Sequence, residues 1–325
     1  MSKKGSLVIS LDYELMWGCC EWTTPEQYGQ TNIANVPEVI DCMVGMFDKY
    51  GVKATFATVG MIMHKDKKEL LMNMPKLLPS YDNPQCSPYA DQYIEHVKDE
   101  YAALYFSPET VRRLNANPLV EVATHTYCHY YCWEKGQTIE QFEADLEQAV
   151  RVAKSLNIEL SSIVFPKNMV SDDYLMVCNK HGIKTYRGNA LKFFDEPKTR
   201  IESIKNKACR LLDAYFNIGG YTSIPYAQIK KKSGVLNVAA SRMLRPYSPK
   251  LSMLEGLRLR RIKKEMIYAA KHGEMYHLWW HPHNFGNNME QNLGFLEAIL
   301  KCYADCKKKY GMLSCTMSKV EQLIK

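Results

Sequence analysis

Apolar positions along the chain change period repeatedly, and each change marks an element. Leu7-Val8-Ile9-Ser10-Leu11 is a short, nearly continuous apolar run, as a buried strand requires. Val36, Val39, Ile40, Met43, Val44 and Phe47 then recur at three- and four-residue spacing, which predicts a helix over 36–50 that Gly51 stops. Further strands are predicted at 53–59, 119–124, 163–165, 184–187 and 275–280. Between them, a helix opens at Thr138 with Phe142, Leu146, Ala149, Val150 and Ala153 on one face. Another runs from Asp172 to His181, and a last long one from Leu293 to Tyr310.

Strands alternating with helices argue for an α/β fold with parallel strands, either a barrel or an open sheet. Two stretches interrupt the alternation. Residues at about 64–107 are polar and rich in Pro and Tyr, and residues at about 191–272 are rich in charge. Both are read as insertions in a single domain spanning 1–325.

Composition narrows the class. No run approaches the roughly 18–20 apolar residues of a membrane span. The opening Met1-Ser2-Lys3-Lys4-Gly5 leads within a few residues to Asp12, too soon for a secretory leader, so a cytoplasmic location is expected. The eleven cysteines lack paired Cys-x-x-Cys spacing and are read as reduced thiols. The net charge of +7 is concentrated in Lys230-Lys231-Lys232 and in Arg258, Arg260, Arg261, Lys263 and Lys264. The latter run is expected on the surface, as a solvated helix face or as a seat for a phosphate-bearing sugar carrier or a membrane surface. It matches no nucleic-acid recognition motif, so no nucleic-acid partner is expected.

Candidate chemistry sits at strand ends. Asp12 and Glu14 follow the first strand with the same parity, so an extended chain turns both carboxylates to one side. Such a pair can divide metal binding and base catalysis between its members. His125 and His129 follow the third strand and can converge on one ion from a helical turn or a tight loop. Cys128 and Cys132 are rival ligands. His281 and His283 follow the last strand, where a histidine can protonate a leaving group. Lys167, in Phe165-Pro166-Lys167-Asn168, can orient a carboxylate or stabilise an oxyanion. Tyr13, Trp17, Trp22, Tyr127, Tyr130, Trp133, Trp279 and Trp280 are candidates for stacking on sugar rings, with core packing expected for at least half of them.

Taken in this order, the motifs resemble those of the polysaccharide deacetylases (the NodB-homology, carbohydrate esterase family 4-like group). His125-Thr126-Tyr127-Cys128-His129 matches that family's His-Ser/Thr-x-x-His motif in full, and Trp280-His281 resembles its C-terminal Leu-His. Ser10-Leu11-Asp12-Tyr13-Glu14 stands in place of Thr-Phe-Asp-Asp, with Tyr13 where the family has a metal-binding aspartate. The resemblance implies a distorted (β/α) barrel and a divalent ion, zinc by expectation, held by His125, His129 and a carboxylate. It implies Asp12 as catalytic base and His281 as general acid. Glu14 is read as the replacement ligand, with an exchange of roles between Asp12 and Glu14 left open. Lys167 or Arg187 is expected to replace the missing arginine of the third motif. The implied reaction removes an acetyl group from an N-acetylated sugar, free or linked to a phosphate or lipid carrier, with peripheral membrane contact compatible. The altered motifs also admit a glycan-binding member with impaired catalysis, or another metal-dependent amide hydrolase on the same scaffold.

Overall fold

The computed structural model describes residues 3–19, 21–89, 93–94, 97–190 and 204–324. Its strands are β1 (Ser6–Tyr13), β2 (Ala54–Thr58), β3 (Val120–Thr124), β4 (Ser162–Ile163), β5 (Thr185–Tyr186), β6 (Ile224–Pro225), β7 (Lys231–Lys232), β8 (Val235–Asn237), β9 (Arg242–Met243), β10 (Glu274–Trp280) and β11 (Leu313–Cys315). They form one curled sheet in the order β6-β10-β1-β2-β3-β4-β5-β8-β7, with β9 beside β10 and β11 beside β1.

The pairs from β10 through β1, β2, β3, β4 and β5 to β8 are parallel. One segment then closes the curl. The Val238 and Ala240 amides donate to the carbonyls of Tyr186 and Gly188 on the β5 side. The next amide, Ser241, donates to His277 on β10. The broken strand β8–β9 thus joins the two sides of a distorted barrel.

Helices cover the outside. The helix Val36–Tyr50 forms as its periodicity predicts, and Gly51 ends it at φ 62° in the left-handed region that glycine tolerates. Thr138 caps Ile139–Ser155 through a reciprocal box with Gln141. Alternation along β1 then sorts the side chains. Leu7, Ile9, Leu11 and Tyr13 join the large core beneath the helices. Val8 packs inside the barrel with Ala57, Ala123, Val164 and Met275, near Met317 and Val320 from the C-terminal segment. Ser10 and Asp12 share Val8's parity and face the interior, which is why a run buried on both faces still carries polar residues.

Two expectations change. The stretch 191–272 is partly core rather than insertion, since β8 and β9 complete the barrel; its residues 191–203 lie outside those described. The basic run is not uniformly on the surface. On the helix Glu255–His272, Arg258 and Arg261 are buried, Arg260 and Lys264 exposed, and Lys263 intermediate. Arg258 bonds Glu255 and the Arg245 carbonyl and stacks on Phe295. Arg261 pairs with Glu265 at 2.8 Å and donates to the Gly220 carbonyl. A helix carrying cations at three- and four-residue spacing necessarily turns some inward, and here each inward guanidinium has its carboxylate.

Candidate active site at the carboxyl ends of the strands

Glu14 is the hub. It follows β1 at the mouth of the barrel, 5% exposed. One carboxylate oxygen, Oε2, lies 3.4 Å from His125 Nε2 and 3.1 Å from His129 Nε2. The other, Oε1, faces His281 Nε2 at 3.7 Å and His283 Nδ1 at 3.9 Å. Burial works against the charge on Glu14, but His281 and the hydrogen bonds of His125 and His129 hold its carboxyl well below the usual range. Gly18 makes room for it: a Cβ there would fall on the Glu14 carboxyl group.

The two histidines reach Glu14 from a tight loop, not a helical turn. Thr126 and His129 adopt φ of 64° and 60°, in the left-handed region that few non-glycine residues enter and that is least favourable for the β-branched Thr126. Two contacts over-determine that shape. The Thr126 hydroxyl accepts from the Tyr130 amide at 2.7 Å. Asp145, fully buried on the helix Ile139–Ser155, accepts from the Tyr127 and Cys128 amides at 2.7 and 3.0 Å. His125 Nδ1 donates to the Val164 carbonyl at 2.8 Å, which fixes the ring with Nε2 toward Glu14. Burial depresses the His129 pKa in spite of Glu14.

Asp12 stands beside this cluster in a separate electrostatic frame. Arg187, fully buried just beyond β5, donates to Asp12 Oδ1 at 2.6 Å and Oδ2 at 2.7 Å. The same guanidinium reaches Ser10 Oγ at 3.1 Å and Asn168 Oδ1 at 3.0 Å, and lies 4.1 Å from the Trp279 ring centroid. Burial pushes the Asp12 carboxyl upward, yet Arg187, His125 and His281 outweigh it and leave its pKa lowered. Ser10 also lies 2.9 Å from Nε2 of His277, whose Nδ1 is 3.1 Å from the Val238 carbonyl. Burial brings the His277 pKa down to about 3, so this imidazole is neutral and links Ser10 to the closing strand.

His281 Nε2 is 3.6 Å from Asp12 Oδ2, and its side chain is 22% exposed, so it borders both carboxylates and the opening. His283 stacks on it at 5.0 Å, and burial lowers the His283 pKa to about 4.

The structure therefore gathers Asp12, Glu14, His125, His129 and His281 into one place. Of the two candidates for the missing arginine, Arg187 holds the carboxylate. Lys167 turns away, bonded to Glu21 at 2.8 Å and lying over Tyr131. The rival thiols Cys128 and Cys132 are buried elsewhere, while Cys19 groups with Glu14 and His283. Among the candidate stacking aromatics, Tyr13, Trp17, Tyr127, Tyr130 and Trp280 are core. Trp133 and Trp279 line a cleft alongside the site. Asp145, Gly18 and His277 were missed as supporting residues. Only Asp145 left a trace, as an acid three residues from Phe142 on the apolar helix face.

Residues 31–186 match the family model for polysaccharide deacetylase, a span that contains His125 and His129 but not Asp12, Glu14 or His281. Among solved structures, the chain resembles a Mycobacterium smegmatis protein assigned as a polysaccharide deacetylase. That match has 11% identity and a TM-score of 0.58, over 99% of this chain and 91% of the other. The α-amylase AmyC of Thermotoga maritima matches at 12% identity and a TM-score of 0.54, over 98% and 74%. A GH57-type branching enzyme of Pyrococcus horikoshii matches at 15% and 0.51, over 99% and 70%. At these identities the likeness is one of fold. No curated protein sequence matches the chain.

Proposed function

We propose that this chain, which belongs to the polysaccharide deacetylase family, is a metal-dependent hydrolase that removes the acetyl group from an N-acetylated sugar. The observation that carries the proposal is the convergence of His125 Nε2 and His129 Nε2 on one oxygen of Glu14. A buried, ionised carboxylate facing two imidazole nitrogens is the donor set of a catalytic metal with an open position, and zinc suits that chemistry. A divalent ion held there supplies a Lewis acid that polarises the amide carbonyl and makes water acidic near neutrality.

The chain's own residues do the rest. Asp12 stays out of the donor cluster because Arg187 grips both of its oxygens. It remains ionised beside the site and accepts the proton of the attacking water. His281, on the exposed side, delivers a proton to the departing sugar amine. Trp279 fixes one face of Arg187 and offers the cleft an aromatic wall for a sugar ring.

The test pairs metal analysis with acetate release from a panel of N-acetylated sugars. The double variant His125→Ala/His129→Ala is expected to lose its metal, and Glu14→Gln to weaken retention. Asp12→Asn is expected to keep the metal and lose about 10²–10⁴-fold in rate. Unchanged metal content in the double histidine variant rejects the site. Metal retention with no acetate from any acetylated sugar favours glycan binding without cleavage.

A further inference from the structure

The cleft beside the site has a volume of about 710 Å³. It adjoins the site through Arg187, the partner of Asp12, because Asn168 and Trp279 line it and both contact that guanidinium. The chain leaving β9 also lines it. The Leu244 amide donates to the Trp279 carbonyl at 2.8 Å, so the next residue, Arg245, emerges at the same end of the sheet as His281.

Arg245 differs from its neighbours. Arg242 is neutralised by Asp213 and Glu265, both at 2.9 Å, and Arg258 by Glu255. Arg245 is half-buried in the cleft, and among the described residues its guanidinium has no hydrogen bond or ion pair. Burial, together with the charges of Arg210, Arg242 and Arg258, lowers its pKa. Asp213, the acid in the cleft lining, is taken up by Arg242 at 2.9 Å, so among the described residues the Arg245 guanidinium sits beside other cations without a bonded carboxylate, and its planar five-donor fork suits the oxygens of a phosphate. Tyr215, Tyr247 and Trp133 add flat surfaces to the same cleft, as a sugar ring requires.

We propose that this cleft takes a phosphate ester of the acetylated sugar, with Arg245 as its anchor, so that the substrate class is a phosphorylated rather than a neutral N-acetylated sugar. The substrate assignment rests on the deacetylase reading, whereas phosphate binding by the cleft does not. Arg260, Lys263 and Lys264 have no part in it, since none of the three lines the cleft.

The experiment titrates the metal-loaded wild type, Arg245→Met and Arg245→Lys by calorimetry. The ligands are N-acetylglucosamine 1-phosphate, its methyl phosphodiester, glucose 1-phosphate and the neutral methyl N-acetylglucosaminide. Arg245→Met is expected to weaken the phosphate-bearing ligands roughly tenfold or more and to leave the neutral glycoside within about twofold. Arg245→Lys should restore part of the loss, because a point charge lacks the fork. Retention of the Arg245 effect with the diester identifies a carrier-linked phosphate as the source, and its restriction to the monoester identifies a free sugar phosphate. Equal loss for charged and neutral ligands, or no loss for the phosphates, overturns the proposal. Glucose 1-phosphate has no acetyl group and reads the cleft alone. Acetate release from the neutral glycoside reads the deacetylase activity alone, so either can fail without the other.

Discussion

Replacing Arg187 by methionine isolates the device that keeps Asp12 charged. The guanidinium is fully buried and donates to both Asp12 oxygens, to Ser10 and to Asn168. Methionine fills much of the same volume, so the loss is mainly electrostatic and not that of a cavity. What remains is a carboxylate 3% exposed, without its main counter-charge. Breaking one partner of a buried ion pair costs about 3–5 kcal/mol. Ser10 keeps His277 as a partner, so little is added on that side.

Removing both charges should cost less than removing one. Asp12→Asn/Arg187→Met leaves no orphaned ion, and neutral replacements of buried pairs are often close to neutral in stability. The expected double-mutant coupling is about 2–3 kcal/mol, read from urea unfolding of the four proteins with comparable m-values.

The sign with pH follows from the lowered Asp12 pKa. The pair's contribution is present above the unfolded carboxylate value and lost as pH falls through the folded one. The deficit of Arg187→Met should therefore shrink in acid. A cost below about 1 kcal/mol at neutral pH, or additivity of the single variants within about 0.5 kcal/mol, would refute the reasoning.

Other substitutions probe the surrounding support. Gly18→Ala should displace the Glu14 carboxylate and reduce metal retention at least about tenfold without changing the circular dichroism; full retention would mean that Glu14 does not hold the ion. The folded His277 resists protonation down to about 3 while the unfolded chain takes up a proton near 6.5. Its contribution to stability should thus be complete above the unfolded value and fall by about 1.4 kcal/mol per pH unit on acidification below it. His277→Asn should remove that slope when unfolding is followed from pH 7 to pH 5. Arg261→Met, which leaves the buried Glu265 with Arg242 as its guanidinium partner, should cost about 1.5–3 kcal/mol, whereas Arg260→Ala at the exposed position should stay within about 0.5 kcal/mol by the same measurement.

Much of the donor cluster was legible because it obeys local rules. Asp12 and Glu14 share a parity on a strand, and His125 and His129 share a loop directly after one. Their convergence needs only that the strands be parallel, which the alternation of elements implied. The barrel's closure was not legible, because β8 and β9 are three and two residues long and take their hydrogen bonds from partners distant in sequence. The inward turn of Arg258 and Arg261 was hidden for a similar reason: their carboxylates give no signal of burial until the helix is packed. Gly18 and His277 act on residues brought close only by the fold. Arg187 was recognised as a candidate by its place after a strand, but the choice between it and Lys167 required the geometry, in which Lys167 is drawn off by Glu21.

The position of β1 sets an order of events for the nascent chain. Ser6 pairs with Met275, and Ser6 also pairs with Leu313, so this early strand finds two of its neighbours only near the far end of the polypeptide. At typical synthesis rates the gap between the emergence of β1 and that of β10 is on the order of tens of seconds. Throughout that interval Asp12 and Glu14 lack His281, and one edge of a largely apolar strand lies open to pairing with another chain. Assembly of the site is thus a late event governed by contacts of high sequence separation, which slow folding by their loop-closure entropy. Translation speed and early chaperone capture, more than the stability of the finished barrel, would then govern how much active protein accumulates.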